Sequence, residues 1–415
     1  MNVEVIKGDL SSRDADLSEV TEKMRSTRSL SDYLEGAQLK ASRQTGKYQS
    51  KQGATITPIP CWAIDFKTSR RKVQQGYQRL PSKNEGKYVV GTADWAKKVA
   101  GTGTEKQKWR NVEISGPCSP SNIFSVVTST YLVPFAIGHR YIVHIPAELN
   151  DSGTLDVRHD FCDYNNQSLS DWTDSEQTGG NSEIEQWTVK AQKIWDENKT
   201  QKSDDRVTER LNKYDGISNQ SPRSYRVVHT RSRSFYAAVL DQRAETAMGL
   251  PYSSAKLQRR SEDAILDAEF IPIGGSICDN KLHVIETSSK HEAYWMTGLF
   301  NSEKFNNMVM KKASGEPPGI YTIPAKILSS LNLDFDPDSD VHLELAESAM
   351  KIEQIMSETI RNYMANNKSV PIDNLDDTDQ SPDIPTMVYS AYTNRWDAET
   401  EVSRLNTIAE EIIGD

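Results

Sequence analysis

The sequence predicts a mixed α/β (α+β) fold: a sheet-bearing body followed by a long helical C-terminal region. Three observations carry that expectation. Short runs rich in β-branched and aromatic residues, bounded by turn residues, recur across residues 54–145 and 225–286. Apolar residues then fall at helical spacing from Ala293 onward, and most regularly at Leu345, Ala349, Ile352, Met356 and Ile360. With 415 residues, the chain can bury two or three ordinary cores. Hydrophobic residues are only 36% of it, so sizeable polar loops are expected between the packed elements.

In chain order, residues 1–50 read as a polar, Ser-rich arm, with short helices expected at 17–24 and 30–39. Residues 54–66, ATITPIPCWAIDF, form the first strong strand region, where Pro58 and Pro60 suggest an edge or a bulge. Strands are expected at 88–90, 109–114 and 141–145. Ser119 or Ser121 can cap a helix through Ile123, Phe124 and Val127. Residues 150–182 are acidic and rich in Ser, Gly and Asn, and read as a loop. A helical stretch covers 183–214, with Ile184, Trp187, Ala191, Ile194 and Trp195 on one face, continued by Val207, Leu211 and Tyr214. Residues 225–229 and 235–240 make a hairpin around Arg231-Ser232-Arg233.

Residues 281–286 alternate without a clean polar face, so a strand partly buried on both sides is expected. Thr287, Ser288 and Ser289 can cap a helix bearing Ala293, Met296, Leu299 and Phe300. Asn301-Ser302 breaks it and caps another through Phe305, Met308 and Val309. Gly315 to Gly319 punctuates, a short strand occupies 320–323, and a short helix occupies 325–331. Phe335-Asp336-Pro337 is a stop before the long helix. Residues 366–385 read as an acidic, Pro-bearing linker, and a last helix at 395–413 carries Ala398, Val402, Leu405, Ala409 and Ile412. The organisation expected is an arm (1–50), a first part of one domain (51–150), a loop and helical insertion (151–222), a second part (223–335) and a helical region (336–415).

The order of these pieces resembles the C-terminal target-recognition region of large adenine-N6 DNA methyltransferases, of the stand-alone and type IIG restriction-modification kinds. Gln52-Gly53-Ala54-Thr55 is similar to the motif that opens that region, Leu132 to Phe135 to its Leu-x-Pro-Phe, Arg226-Val227-Val228-His229 to an Arg-x-Val-Tyr strand, and Ala237-Ala238-Val239 to the strand after it. Glu-Ala-Tyr-Trp at 292–295, Leu-Phe-Asn-Ser at 299–302, Ile-Tyr-x-Ile-Pro at 320–324 and Phe-Asp-Pro at 335–337 follow in the same order. Glu292, Tyr294 and Asn301 match the pattern and read as structural. The resemblance covers residues 223–363 and, more loosely, 52–135. It implies a module that reads duplex DNA while an adenine-N6 methyltransferase catalytic domain carries S-adenosylmethionine. This chain would then be a separate subunit, or the C-terminal portion of a longer one, in a restriction-modification or phage-defence system.

Catalytic chemistry is not legible. An adenine-N6 enzyme needs an Asn/Asp-Pro-Pro-Tyr/Phe turn to hold and stack on an extruded base. Glu316-Pro317-Pro318-Gly319 has neither the acid nor the aromatic. Glu85-Gly86-Lys87, after Asp65, has the letters of a metal-dependent nuclease but lies in a turn, and Glu197-Asn198-Lys199 ends a helix. Cys61, Cys118, Cys162 and Cys278 stand too far apart for a Cys-x-x-Cys zinc site. His139 and His144, the one loosely spaced histidine pair, are expected to face solvent. No catalytic, cofactor-binding or metal-binding residue is therefore assigned to this chain. Sparse cysteine and the lack of an N-terminal apolar run fit a cytoplasmic protein, and no apolar run is long enough to span a bilayer.

A net charge of −10 argues against a uniform coat of positive charge, but a local basic stripe suffices to meet phosphates. Three clusters offer one: Arg70, Arg71 and Lys72; Lys106, Lys108, Trp109 and Arg110; and Arg223, Arg226, Arg231 and Arg233 beside Tyr225. Each alone also fits a solvated loop that offsets acidic neighbours. Trp109 among cations could stack on a base or pack in a core. A structural subunit of a defence complex that does not read DNA is the rival expectation, and the acidic total favours it. The face from Leu345 to Ile360 reads as core or as a helix docked on a partner.

Overall fold

A computed structural model gives the fold. It describes residues 2–6, 25–29, 48–73, 76–81, 83–84, 87–99, 108–129, 132–137, 140–162, 183–200, 205–222, 224–231, 235–241, 250–251, 270–271, 273–312, 314–316, 320–322, 333–366 and 396–413. The architecture is mixed α+β, with helices and several antiparallel or mixed sheets.

The element that organises the rest is a four-stranded sheet. Strand β1 (Ser50–Gln52) pairs with β10 (Leu282–Thr287), which pairs with β7 (Tyr225–Thr230), which pairs with β8 (Ala237–Asp241). All three pairings are antiparallel, with Val227 opposite Ile285 and Val239. Successive side chains point to opposite faces, and here both faces are covered. Val227, Ile285 and Ala237 face a helical layer: α3 (Lys290–Asn301), α4 (Glu303–Lys312), α5 (Asp340–Asn366) and α6 (Trp396–Ile413). Val228, Val284, Leu282 and Leu240 face the other way, onto Val127, Leu132 and Cys278. Two-sided burial explains why residues 281–286 read as a strand without a polar face.

The helical layer forms as its sequence leads one to expect. Ser289 caps α3, its hydroxyl accepting from the Glu292 N–H at 3.1 Å. Glu292 is itself buried, accepting from Ser288 N–H and from the Tyr48 hydroxyl at 2.6 Å. The Asn301 side chain ends the helix by pairing with an edge strand. Its amide donates to Ala237 O at 2.8 Å, and its carbonyl accepts from Ala237 N at 3.0 Å. Tyr294 donates to Glu353 on α5. Leu345, Ala349, Ile352 and Met356 are buried on the expected face of α5, and Leu405 and Ala409 on that of α6.

A second core joins three groups of elements. One is the sheet of β6 (Arg140–His144), β5 (Ile123–Val127) and β9 (Gly275–Cys278), in which β5 and β9 run parallel. Another is the sheet of β2 (Ile64–Phe66), β3 (Lys87–Thr92) and β4 (Ser115–Cys118). The third is the helix pair α1 (Glu183–Asn198) and α2 (Val207–Leu211). Strand β9 turns directly into β10, so the two cores meet at that turn.

Several expectations are corrected. Residues 54–66 are not one strand: a single helical turn, Ile59–Trp62, interrupts them, because proline at the first helical positions starts a turn readily. Residues 123–127 form β5 instead of a helix, with all five side chains buried between two neighbouring strands. The stretch 109–114 opens as the 3-10 turn Lys108–Asn111, and the strand comes later, at β4. Inside the expected loop at 150–182, Leu155–Val157 pairs with Ala147–Leu149. His144 is wholly buried against Trp187, at 5.0 Å between ring centroids, and does not face solvent. The helices expected at 17–24, 30–39 and 325–331, and the linker but for its first residue, lie outside the described residues. No helix among the described residues is long and apolar enough to cross a membrane.

Candidate nucleic-acid interface

The turn between β9 and β10 draws together side chains from distant parts of the chain. Lys281 N–H donates to the Asp279 carboxylate at 2.9 Å, and Leu282 N–H donates to Asp279 O at 3.0 Å, which fixes a tight Asx turn. Burial pushes the Asp279 carboxyl up to about 6. Against this turn lies Gln52-Gly53-Ala54-Thr55, and each of its residues has a physical role. Gly53 N–H donates to Leu282 O and Ala54 N–H to Cys278 O, at 3.0 and 2.7 Å. A Cβ on Gly53 would stand 2.2 Å from Asp279 O and 2.4 Å from Cys278 O, so only glycine fits. Thr55 Oγ1 accepts from the Asn280 side chain at 3.0 Å. Gln52 donates to Asn280 O at 3.1 Å.

Arg231 arrives at the same turn from the end of β7. Its N–H donates to Lys281 O at 3.2 Å, and its guanidinium reaches Asn280 O at 3.4 Å. Gln52 and Lys281 are exposed, and Arg231 and Asn280 are half-buried. Lys51 is exposed beside them, 3.5 Å from Glu286, which also accepts from the Ser221 hydroxyl. The turn thus gathers a Gln amide, an Arg guanidinium and two lysines, and the N–H groups that Gln52 and Arg231 do not spend on Asn280 O are of the kind that can meet phosphates and base edges.

A third segment backs this surface. After α2 the chain passes through Lys213, Tyr214, Asp215 and Gly216, and a Cβ on Gly216 would come within 2.9 Å of the Ala54 Cα. Tyr214 is not the helix-face residue its spacing implies. It lies beyond α2 with φ +60° and is 84% exposed. Asp215 follows at φ +55°. Left-handed backbone at non-glycine residues costs about 1–3 kcal/mol each. Hydrogen bonds hold it: the Asn212 side chain accepts from Ile217 and Ser218 N–H at 3.0 and 3.1 Å, and Gln220 donates to Gly216 O and Cys278 O.

The basic residues singled out in the sequence fare differently. Arg231 joins the turn. Arg226 is removed from any contact surface: it is fully buried, and its guanidinium donates to Ser276 O at 2.7 Å. Strand alternation places it on the face of β7 that the second sheet covers, opposite Glu286. Its Nε and Nη1 have no partner among the described residues, and burial lowers its pKa. Trp109 is half-buried at the edge of the second core, its ring centroid 5.9 Å from that of Trp195. Lys108 and Arg110 flank it, half-buried and exposed. Arg70, Arg71 and Lys72 lie on the strand Thr68–Val73, in register with Arg79, Gln78 and Tyr77. Lys106, Arg223 and Arg233 lie outside the described residues.

One arrangement has the outline of a nucleophile–base pair. Ser50 Oγ lies 3.2 Å from His229 Nε2, and His229 Nδ1 lies 3.0 Å from Thr230 O. The carbonyl fixes the proton on Nδ1, leaving Nε2 to accept from the serine, as in a nucleophile–base pair. Yet burial, reinforced by the neighbouring His283, lowers the His229 pKa to about 3. The ring is wholly buried among Phe235, His283 and Phe300, so the contact with Ser50 reads as structural. Among the described residues no group of His, Cys, Asp and Glu is placed to hold a metal ion. Compared with known proteins, the chain matches no family model and no curated sequence.

Proposed function

We propose that this chain is a DNA sequence-recognition module for an adenine-N6 DNA methyltransferase or a related restriction-modification or phage-defence system. It binds duplex DNA while a catalytic domain carried elsewhere holds S-adenosylmethionine. One observation supports the reading: Gln52, Arg231, Asn280 and Lys281, from three separate stretches of sequence, converge on one turn, where Gln52 and Lys281 are exposed and the Gln52 amide and Arg231 guanidinium have N–H groups beyond those they donate to Asn280 O. Arg and Gln heads suit base edges in the major groove, and lysines suit phosphates. The ordered sequence resemblance points the same way, and its Gln52-to-Thr55 motif forms one wall of this turn.

The acidic total and the exposed carboxylates of the last two helices, among them Glu344, Glu347, Glu399, Glu410 and Glu411, favour a second reading. In it the chain is a non-catalytic interaction subunit of a defence complex. Mobility shift of a random-sequence duplex separates the two. The recognition module shifts duplex at low salt, alone or with a partner methyltransferase, and loses the shift as salt rises. Absence of any shift in both settings leaves the interaction subunit standing.

A further inference from the structure

We infer that Tyr214 is a stacking platform for a DNA base that has left its helical stack, carried on a turn whose backbone packs against the Gln52-to-Thr55 motif. The inference rests on the duplex-binding reading above. Four observations carry it. Tyr214 is the one exposed large hydrophobic side chain among the described residues, at 84%. It is presented on two successive left-handed residues, neither of them glycine. Backbone strain of this kind persists where the surrounding structure over-determines it, and it clusters at ligand contacts. Here the Asn212 and Gln220 side chains supply that determination.

The ring also has a cation beside it. Lys213 Nζ lies over one face of the Tyr214 ring, 4.9 Å from its centroid, so it steadies the ring and a stacked base would take the opposite face. Finally, Gly216 of the same turn lies against Ala54, in the centre of the Gln52-to-Thr55 motif, so the backbone that carries the aromatic packs on the backbone that carries Gln52. A lone exposed aromatic on a relaxed helix would carry no such meaning. An aromatic held out by a strained and braced turn, with a lysine alongside and the backbone that carries Gln52 packed against that turn, matches what a flat base requires. The exposed Asp215 carboxylate, next to the ring, is unfavourable for phosphate, as are the half-buried Asp279 and Glu286 carboxylates at the neighbouring turn. It disfavours a continuous backbone track across the ring and leaves the base face as the ligand.

The test compares two fluorescein-labelled probes, a random-sequence duplex and the same duplex with a mismatched centre, in which a base leaves the stack at lower cost. The intact chain should prefer the mismatched probe. Tyr214→Phe keeps that preference. Tyr214→Gly removes the ring and relaxes the left-handed backbone, so it should fold at least as well by thermal melt. It should nonetheless bind the mismatched probe roughly 5- to 100-fold more weakly, the span expected for loss of one base–aromatic stack. Equal binding by Tyr214→Gly and the intact chain overturns the stacking role and leaves duplex binding intact. Failure of the intact chain to bind either probe refutes the duplex-binding reading itself, and the stacking role with it.

Discussion

Trp109 and Tyr214 stand in opposite surroundings: Trp109 takes the packed one of the two places open to it, and Tyr214 leaves the helix face that its spacing implies. Trp109 stands among Lys106, Lys108 and Arg110, the interleaving of aromatics and cations that marks nucleic-acid surfaces, yet its ring packs on Trp195 beside a hydrophobic core. Tyr214 follows Val207 and Leu211 at helical spacing, as a core residue would, yet it stands 84% exposed. The difference lies in the backbone. The Trp109 turn is an ordinary 3-10 turn whose ring has a flat apolar neighbour. At Asn212 the helix stops, because its side chain satisfies two N–H groups beyond it, and the next residues are turned left-handed and outward. Local composition shows which rings have cations nearby. Where a ring points is decided by caps and by partners far away in sequence.

Acidification should have the largest effect, and it tests both regions together. His144 lies against Trp187 on the Trp109 side, and His229 and His283 lie in the sheet that leads to Arg231. Burial lowers their pKa values to about 3, 3 and 4, against an ordinary 6.5. The unfolded chain therefore takes up protons first as pH falls below 6.5, and stability complete above that pH is lost progressively toward pH 4. Asp279 acts in the opposite sense: its carboxyl, raised to about 6 from 3.8, favours the folded state as it protonates. Three histidines against one aspartate leave a net loss. Urea midpoints measured from pH 7.5 to about 4 should fall steadily, and a flat profile contradicts the burial of these rings.

Gly53→Ala comes next, because it strikes the floor beneath the Tyr214 turn. The new methyl would meet two backbone carbonyls, which cannot swing aside as a side chain can. A loss of about 3 kcal/mol in chemical denaturation is expected, with duplex binding falling as the Asn280 turn shifts. Unchanged stability would mean that the strand β1 does not lie on this turn. Trp109→Ala is expected to lose about 2 kcal/mol of stability through lost packing. Per folded molecule it should still bind duplex as the intact chain does. A selective loss of binding without loss of stability would reverse the comparison, making Trp109 the stacking residue.

Much of the scaffold was legible. The hairpin of β7 and β8, the two-sided strand β10, the Ser289 cap, the break at Asn301-Ser302 and the long helix α5 all follow from caps and periodicity. Glu292, Tyr294 and Asn301 were read as structural, and their hydrogen bonds are satisfied within the fold. Strand β5 is ambiguous in sequence, because Ile123, Phe124 and Val127 satisfy helical spacing as well as two-sided burial, and only the distant partner β9 decides between them. The burial of Arg226 is hidden for a related reason. Alternation assigns it a face of β7, but not the second sheet that covers that face. The donor set at the β9–β10 turn was half visible: Arg231 was singled out and Gln52 belonged to a noted motif. Asn280 and Lys281 carried no local signal, because their role arises only when residues 52, 231 and 280 meet.

The salt dependence of duplex binding decides whether the Gln52–Arg231–Lys281 surface meets DNA. Fluorescence anisotropy across a salt series should give a linear fall of log affinity with log salt. Replacement of Lys281 by alanine should shallow that slope by about 1, while Arg231→Ala weakens binding and flattens the preference among duplex sequences. Identical slopes and affinities for the intact chain and both variants would contradict contact at this surface, and would place any DNA contact on another face of the molecule.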